Sequence, residues 1–424
     1  MSLADLVKVT PEMDAWLRET RRMIHVNPEL MFEENDTADL VQKQLTEAGV
    51  EFKPNVGGDG RSLYMKAEDL ARAGIKPGPP TGGTGVLATI TGTKGAGPGK
   101  TVLLRADMDA LPLDEENDVD YKSQNPGKMH ACGHDLHTTV LMGVAEVLEQ
   151  NKDRFDGTVK LMFQPGEEGG GGALAMIEDG ILEDPKVDAA YALHVGVDHP
   201  AGHVSMCHGP RSAAADMFEI HVHGTGGHGA YPQAAVDTVY VASQIVVALQ
   251  EIVSREVAAM DQAVLSVTTI HSGTAMNIIP ERAVLSGTVR TYDENVRSHV
   301  EKRLAEVASG IAATFRAEAD TVYLRGYPAM YNDEEIVNIA REACREVLGA
   351  DNVHDAEPIM AGEDMAYVSQ RVPTCMYSLG VKNEERGIIY PPHHPKFDAD
   401  EDAIAVGVQT MSAIALRFLG ADES

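Results

Sequence analysis

From residue 100 onward the chain alternates short, continuous apolar runs with longer stretches whose apolar residues recur every three or four positions. TVLLRAD (101–107) gives way to TTVLMGVAEVLEQN (138–151), then TVKLMF (158–163), GGALAMIEDGIL (171–182) and DAAYALHV (188–195). The short runs read as strands buried on both faces and the periodic stretches as helices. That alternation predicts a mainly parallel sheet with helices on both faces.

Near Ala213 the texture changes. FEIHVHG (218–224) leads into a helical TVYVASQIVVALQEIVSRE (238–256), then AVLSVTTIHSG (263–273), RAVLSGTVRTYD (282–293), a second helix VRSHVEKRLAEVASGIAATF (296–315) and DTVYLR (320–325). Two helices against a four-stranded antiparallel sheet, about 110 residues in all, predict a separate α+β domain over 213–325. The first rhythm then resumes with EEIVNIAREACREVLG, PTCMYSLGV and a closing helix, so the small domain is inserted into a larger one formed by 1–212 and 326–424. The N-terminal MSLADLVKVTPEMDAWLRETRRMIH reads as one amphipathic helix with neither a signal peptide's apolar centre nor a membrane span, which predicts a soluble cytoplasmic protein. Residues 57–85 form a Gly/Pro-rich excursion, longer than most connections inside compact domains.

At 424 residues, the length exceeds what one core supports. The formal charge, 35 basic against 65 acidic residues or −30, repels phosphate backbones and anionic bilayers, so neither nucleic acid nor membrane is expected as a partner. A carboxylate-bearing small molecule would need locally placed cationic, amide or metal groups to offset that field. Four cysteines, Cys132, Cys207, Cys344 and Cys375, lie too far apart for a disulfide framework, leaving a metal-ligand role open.

The densest chemistry lies in MHACGHDLHTT (129–139), with Cys132, His134 and His137 ahead of a helix. Further clusters fall where β-rich runs end: Asp107 and Asp109, Glu167 and Glu168, His194, and His393 and His394. In open α/β sheets such ends converge on one crevice. Each cluster alone is more simply read as a helix cap, a solvated pair or a core histidine. Together, thiolate, imidazole and carboxylate suit zinc or a neighbouring first-row metal better than magnesium or calcium.

RADMDALP, MHACGHDLH, FQPGEEGGGGA, LHVG, GGHGAYP, NIIP, GEDMAYV and HHPKF, in this order over almost the whole chain, resemble the metallopeptidase-related amidohydrolases: aminoacylase, hippurate hydrolase, auxin-conjugate hydrolases and aminobenzoyl-glutamate hydrolase. The resemblance implies a zinc-peptidase-like catalytic domain with an inserted lid and dimerisation domain, working as a homodimer or higher oligomer. It implies one or two divalent transition metal ions, zinc or manganese first and cobalt or nickel as alternatives, held by Cys132, His134, Glu168, His194 and His393. Glu167 matches the general base and Asp109 the acidic residue that orients the metal site. His228 matches an oxyanion-stabilising histidine, often supplied by the partner subunit. His137 stays open between a supporting hydrogen-bond partner and a helix-surface residue.

Asn277 and Arg290 occupy lid positions suited to a substrate carboxylate, His394 is a second candidate there, and Arg61, Tyr64, Met65 and Lys66 of the excursion could contact an aromatic acid. The implied reaction is C–N hydrolysis of an N-acyl or N-aroyl amino acid. Two alternatives remain: hydrolytic deamination of an aromatic amine such as a nitroanthranilate, as one branch with extra sequence near the excursion performs, and a non-catalytic dimeric binding protein. The retained Glu167 speaks against the last.

Overall fold

The computed structural model describes residues 2–65, 67–72, 82–95, 97 and 99–421. At the centre of an eight-stranded sheet lie Thr158–Gln164, Thr101–Asp107, Ala189–Pro200 and Thr374–Lys382, in that order and all parallel. Gly85–Thr91 and Glu51–Val56 extend one flank antiparallel; Val204–Met206 and Val353–Asp355 extend the other.

Thr101–Asp107 and Thr158–Gln164 are buried along their whole length, which is why both read as continuous apolar runs. Alternate side chains enter different layers. Val102 and Leu104 join the main core with the helices Pro11–Val26, His134–Gln150 and Asp402–Phe418; Leu103 and Met162 join a smaller core against Gly172–Glu178 and Ala366–Ser369. Arg105 has the parity of Leu103 and so points into the second layer, near the strand's carboxyl end.

The N-terminus differs from its single-helix expectation. It forms Leu3–Leu6 and Pro11–Val26 with a break between them, because Pro11 has no N–H to continue an earlier helix while Thr10 accepts from Met13 N–H and starts a new one.

The second unit is a four-stranded antiparallel sheet in the order Ala263–Ser272, Arg282–Thr291, Ala214–His223, Glu318–Leu324. Helices Thr238–Glu251 and Glu294–Thr314, capped by Asp237 and Asp293, cover one face over a core that includes Phe218, Ile220, Leu285, Val300 and Leu304. Strands Ala263–Ser272 and Glu318–Leu324 form the two edges of this sheet. Among the described residues no helix is long and apolar enough to cross a membrane.

Candidate metal centre

Gly133 separates Cys132 from the helix that begins at His134, with φ 84° and so little room that a Cβ would lie 2.4 Å from Val195 Cγ2. Only glycine permits that turn, and the turn brings a thiol and an imidazole to the same spot. Two other polar side chains of the stretch, Asp135 and His137, are held in place by separate partners. Asp135 is buried against Arg21 Nε and His25 Nδ1, both at 2.7 Å, which ties the first long helix to this one. His137 donates Nδ1–H to Asp107 Oδ1 at 2.6 Å and accepts Val195 N–H on Nε2 at 3.0 Å. Both its ring nitrogens are committed, so His137 is a buried support and not a surface residue.

Around Cys132 the ligand-type atoms converge. Its Sγ is 3.4 Å from His194 Nε2, the nitrogen left with a lone pair because Nδ1–H goes to the Val195 carbonyl at 2.8 Å. His393 Nε2 lies 3.2 Å from Glu168 Oε1. Cys132/His134/His194, Cys132/Glu168/His393 and His134/Glu167/Glu168 are three groups whose ligand atoms lie within 4.8 Å of one another; Asp107/His134/His137 and Glu167/Glu363/Asp364 are two more behind them. Cys132, His134 and Glu168 each belong to two of the first three groups, so the residues that could hold a metal form one continuous cluster.

The fit to a metal rests on stranded donors. His134 Nδ1 and Nε2 and Glu168 Oε1 are buried without hydrogen-bond partners, although His134 stands 3.4 Å from Asp109 Oδ1 and 3.5 Å from Asp107 Oδ2. Buried polar atoms are normally satisfied, and a soft thiolate beside imidazoles and a carboxylate matches a first-row transition metal. Burial, and then the Glu168 carboxylate, raises the Cys132 thiol above its usual range, a penalty that a cation would reverse. The neighbouring Cys132 and Glu168 push His393 up to about 10.

Glu167 is held from behind. Its backbone N–H and that of Glu168 donate to the two oxygens of Asp109, at 2.9 and 3.0 Å. Tyr327 donates its hydroxyl to the Glu167 carbonyl at 2.7 Å and accepts Gly171 N–H at 2.9 Å, bridging both sides of the loop. Burial, with Glu363, Glu168 and Asp364 nearby, lifts the Glu167 carboxyl well above the ordinary range. Arg105, a cation of this layer, is already engaged by Gln164, Asp107, Glu363 and Asp364 at 2.6–3.1 Å.

A cavity of about 1000 Å³ opens over this cluster, lined by Cys132, Glu167, Glu168, His194, Tyr327, Arg290 and His393 among others. Other nominated residues lie elsewhere. His394 turns away, accepting Lys396 N–H and stacking on Tyr390, so His393 is the one at the cluster. His228 lies opposite Ile278 in a small two-stranded ladder, and next to it Gly229 N–H donates to the Asn277 carbonyl; His228 and Asn277 are exposed and neither lines this chain's cavity. Arg61 pairs with Asp59, and Tyr64 donates to Gly169 O and packs among Tyr327 and Tyr367 beside the Glu167 loop; neither lines the cavity. Lys66 and residues 73–81 of the excursion lie outside the described residues.

Tyr327, Arg105, Glu363 and Asp364 received no role from the sequence. GEDMAYV flagged the last two only as part of a motif, and Tyr327 carries no local signal at all.

Fold and site together define a metal-dependent hydrolase. The chain belongs to the peptidase family M20/M25/M40, whose model matches residues 103–417. It is 38% identical over 410 residues to thermostable carboxypeptidase 2 of Saccharolobus solfataricus, covering 96% of each chain, and 37% identical to an N-acetyl-L-cysteine deacetylase of Bacillus subtilis, covering 95% of this chain and 88% of that one. Among solved structures, a dinuclear metal-binding peptidase of the M20 family from Bacillus subtilis superposes with a TM-score of 0.80 at 31% identity, over 97% of this chain and 99% of that one.

Proposed function

We propose that this chain hydrolyses the amide of an N-acyl or N-aroyl amino acid. The observation that carries the reading is the juxtaposition of Glu167, a buried carboxyl with a raised pKa, with stranded metal-type donors on the wall of one cavity. Cys132, His134, Glu168, His194 and His393 would hold two transition metal ions, zinc or manganese in first place. Bound there, such ions acidify water and polarise a carbonyl. The chain's own part is then proton handling. Glu167, kept basic enough by burial and by its acidic neighbours, accepts a proton from the attacking water and delivers it to the departing nitrogen. Asp109 fixes the backbone of Glu167 and Glu168 and stands beside the His134 ring.

The relatives, a carboxypeptidase and an N-acetyl-L-cysteine deacetylase, support the amide class. We assign residues 213–325 as a lid that also joins two copies, with His228 and Asn277 completing the partner's site and Arg290 facing its own chain's cavity. Incubating the metal-loaded protein with hippurate and N-acetyl-L-methionine is expected to release glycine and methionine, and with 5-nitroanthranilate to release no ammonia. Ammonia without amino acid would replace this reading by aromatic deamination. Glu167→Ala is expected to lower turnover by about 10²–10⁴-fold at unchanged metal content; an unaltered rate removes Glu167 from the base role.

A further inference from the structure

The wall of the same cavity also carries a buried guanidinium. Arg211, in the short strand Gly209–Ser212, is 5% exposed and lines the cavity. Its Nη2 donates to Ser378 Oγ at 2.9 Å and its Nε is buried without a partner; among the described residues no carboxylate pairs with this guanidinium. The other buried arginines behave differently. Arg21, Arg105 and Arg297 each meet a carboxylate at 2.6–2.7 Å. A buried cation without a counter-ion is strongly unfavourable, so an arginine kept in that state implies an anion that the chain does not itself supply.

Its position specifies which anion. Ser378 pairs in register with His194 on one side and with Ser205 on the other, which sets the three side chains on one face of the sheet. Ser378 is therefore about one strand spacing, some 4.8 Å, from the His194 backbone. Arg290 lines the same cavity, yet its Nη1 already serves the carbonyls of Asp216 and Val289, at 3.3 and 3.0 Å, and the Thr288 hydroxyl.

We propose that Arg211 is the anion anchor of this cleft, holding the carboxylate of a substrate whose C–N bond lies over Cys132, Glu167 and Glu168. The inference rests on reading the cleft as the substrate site, and it narrows the substrate class. Compounds with a free carboxylate a few bonds from the scissile C–N bond are accepted, and their neutral amides are not. A planar guanidinium, oriented by Ser378, recognises a carboxylate with charge-assisted hydrogen bonds that an amide cannot match.

Benzoate and benzamide are the probes, titrated calorimetrically into the metal-loaded wild type, Arg211→Gln and Arg211→Lys. The expected result is a loss of about tenfold or more in benzoate affinity for Arg211→Gln, a smaller loss for Arg211→Lys, and no change for benzamide. Equal benzoate affinity in wild type and Arg211→Gln would overturn the proposal and leave the carboxylate to the metal centre. If Arg211→Gln does not fold, Arg211→Lys carries the test, because it keeps the charge and loses only the fork; benzoate affinity equal to wild type overturns the proposal in that variant too. Binding without turnover is the readout, so the anchor can stand while amide hydrolysis falls, and the reverse.

Discussion

The carboxyl end of the eight-stranded sheet and the ladder at the edge of the four-stranded unit place functional side chains in opposite settings. Around Cys132 most of the polar groups are buried, and second partners fix their orientation: Asp109 under Glu167 and Glu168, the Val195 carbonyl under His194, Asp107 and Val195 N–H around His137. His228 and Asn277, by contrast, stand exposed: His228 accepts Ala230 N–H and packs against the Tyr231 ring, and the Asn277 carbonyl accepts Gly229 N–H. On the proposed reading, the first region would be complete within the chain once its ions are bound, and the second would be a half-site whose groups meet substrate only from another surface.

The most severe way to break that contrast is to remove its centre. Cys132→Ala is expected to lose metal and activity together, with metal affinity falling by more than the roughly 10–100-fold typical when only an orienting group is removed. Asp109→Ala supplies that lesser reference in the same protein. Elemental analysis after dialysis against graded chelator ranks the two; equal metal retention by Cys132→Ala and wild type sinks the ligand assignment.

A smaller effect tests the half-site. If His228 acts across subunits, Glu167→Ala and His228→Ala are each poorly active alone, yet unfolding and refolding them as an equimolar mixture builds one complete site in every mixed dimer. Random pairing predicts recovery of about a quarter of wild-type activity. No recovery, in a mixture shown to be dimeric, confines His228 to its own chain or to no role at all.

The legible part of the molecule follows the same division. Strands such as TVLLRAD and TVKLMF were readable because burial on both faces leaves an uninterrupted apolar run, and the lid strands because one wet face imposes alternation. Cys132, Glu168, His194 and His393 were readable as a set because their residue types are costly to explain one cluster at a time. Arg211 was not readable, since nothing in GPRS tells a buried, unpaired guanidinium from a surface one; that distinction exists only once Ser378 and His194 lie in register. Tyr327 was hidden for the same reason, 160 residues from the carbonyl it holds. Arg61 and Tyr64 were nominated for their chemistry, but whether a loop walls a cavity or props another loop depends on packing that local composition does not encode.

Glu34 shows what holding the Glu167 loop costs, and changing it is expected to disturb turnover least. Its carboxyl is fully buried, accepting Gly166 N–H at 2.9 Å and the Thr84 hydroxyl at 2.5 Å. Burial, and then the Asp109 carboxylate, pushes its pKa from 4.5 to about 8. Between those values the folded chain keeps a proton that the unfolded chain has released, so this group's contribution declines as pH rises from 4.5 to 8 and is constant outside that window. Glu34→Gln needs no such proton. Its stability relative to wild type should therefore be level below about pH 4.5 and climb through the window to a gain of roughly 2 kcal/mol above pH 8, allowing for relaxation of the site. Urea midpoints of the chelated proteins across that range check the sign. A difference that does not vary with pH would mean that Glu34 is ionised throughout, and that the loop beneath the metal centre is held by a charge instead of a shared proton.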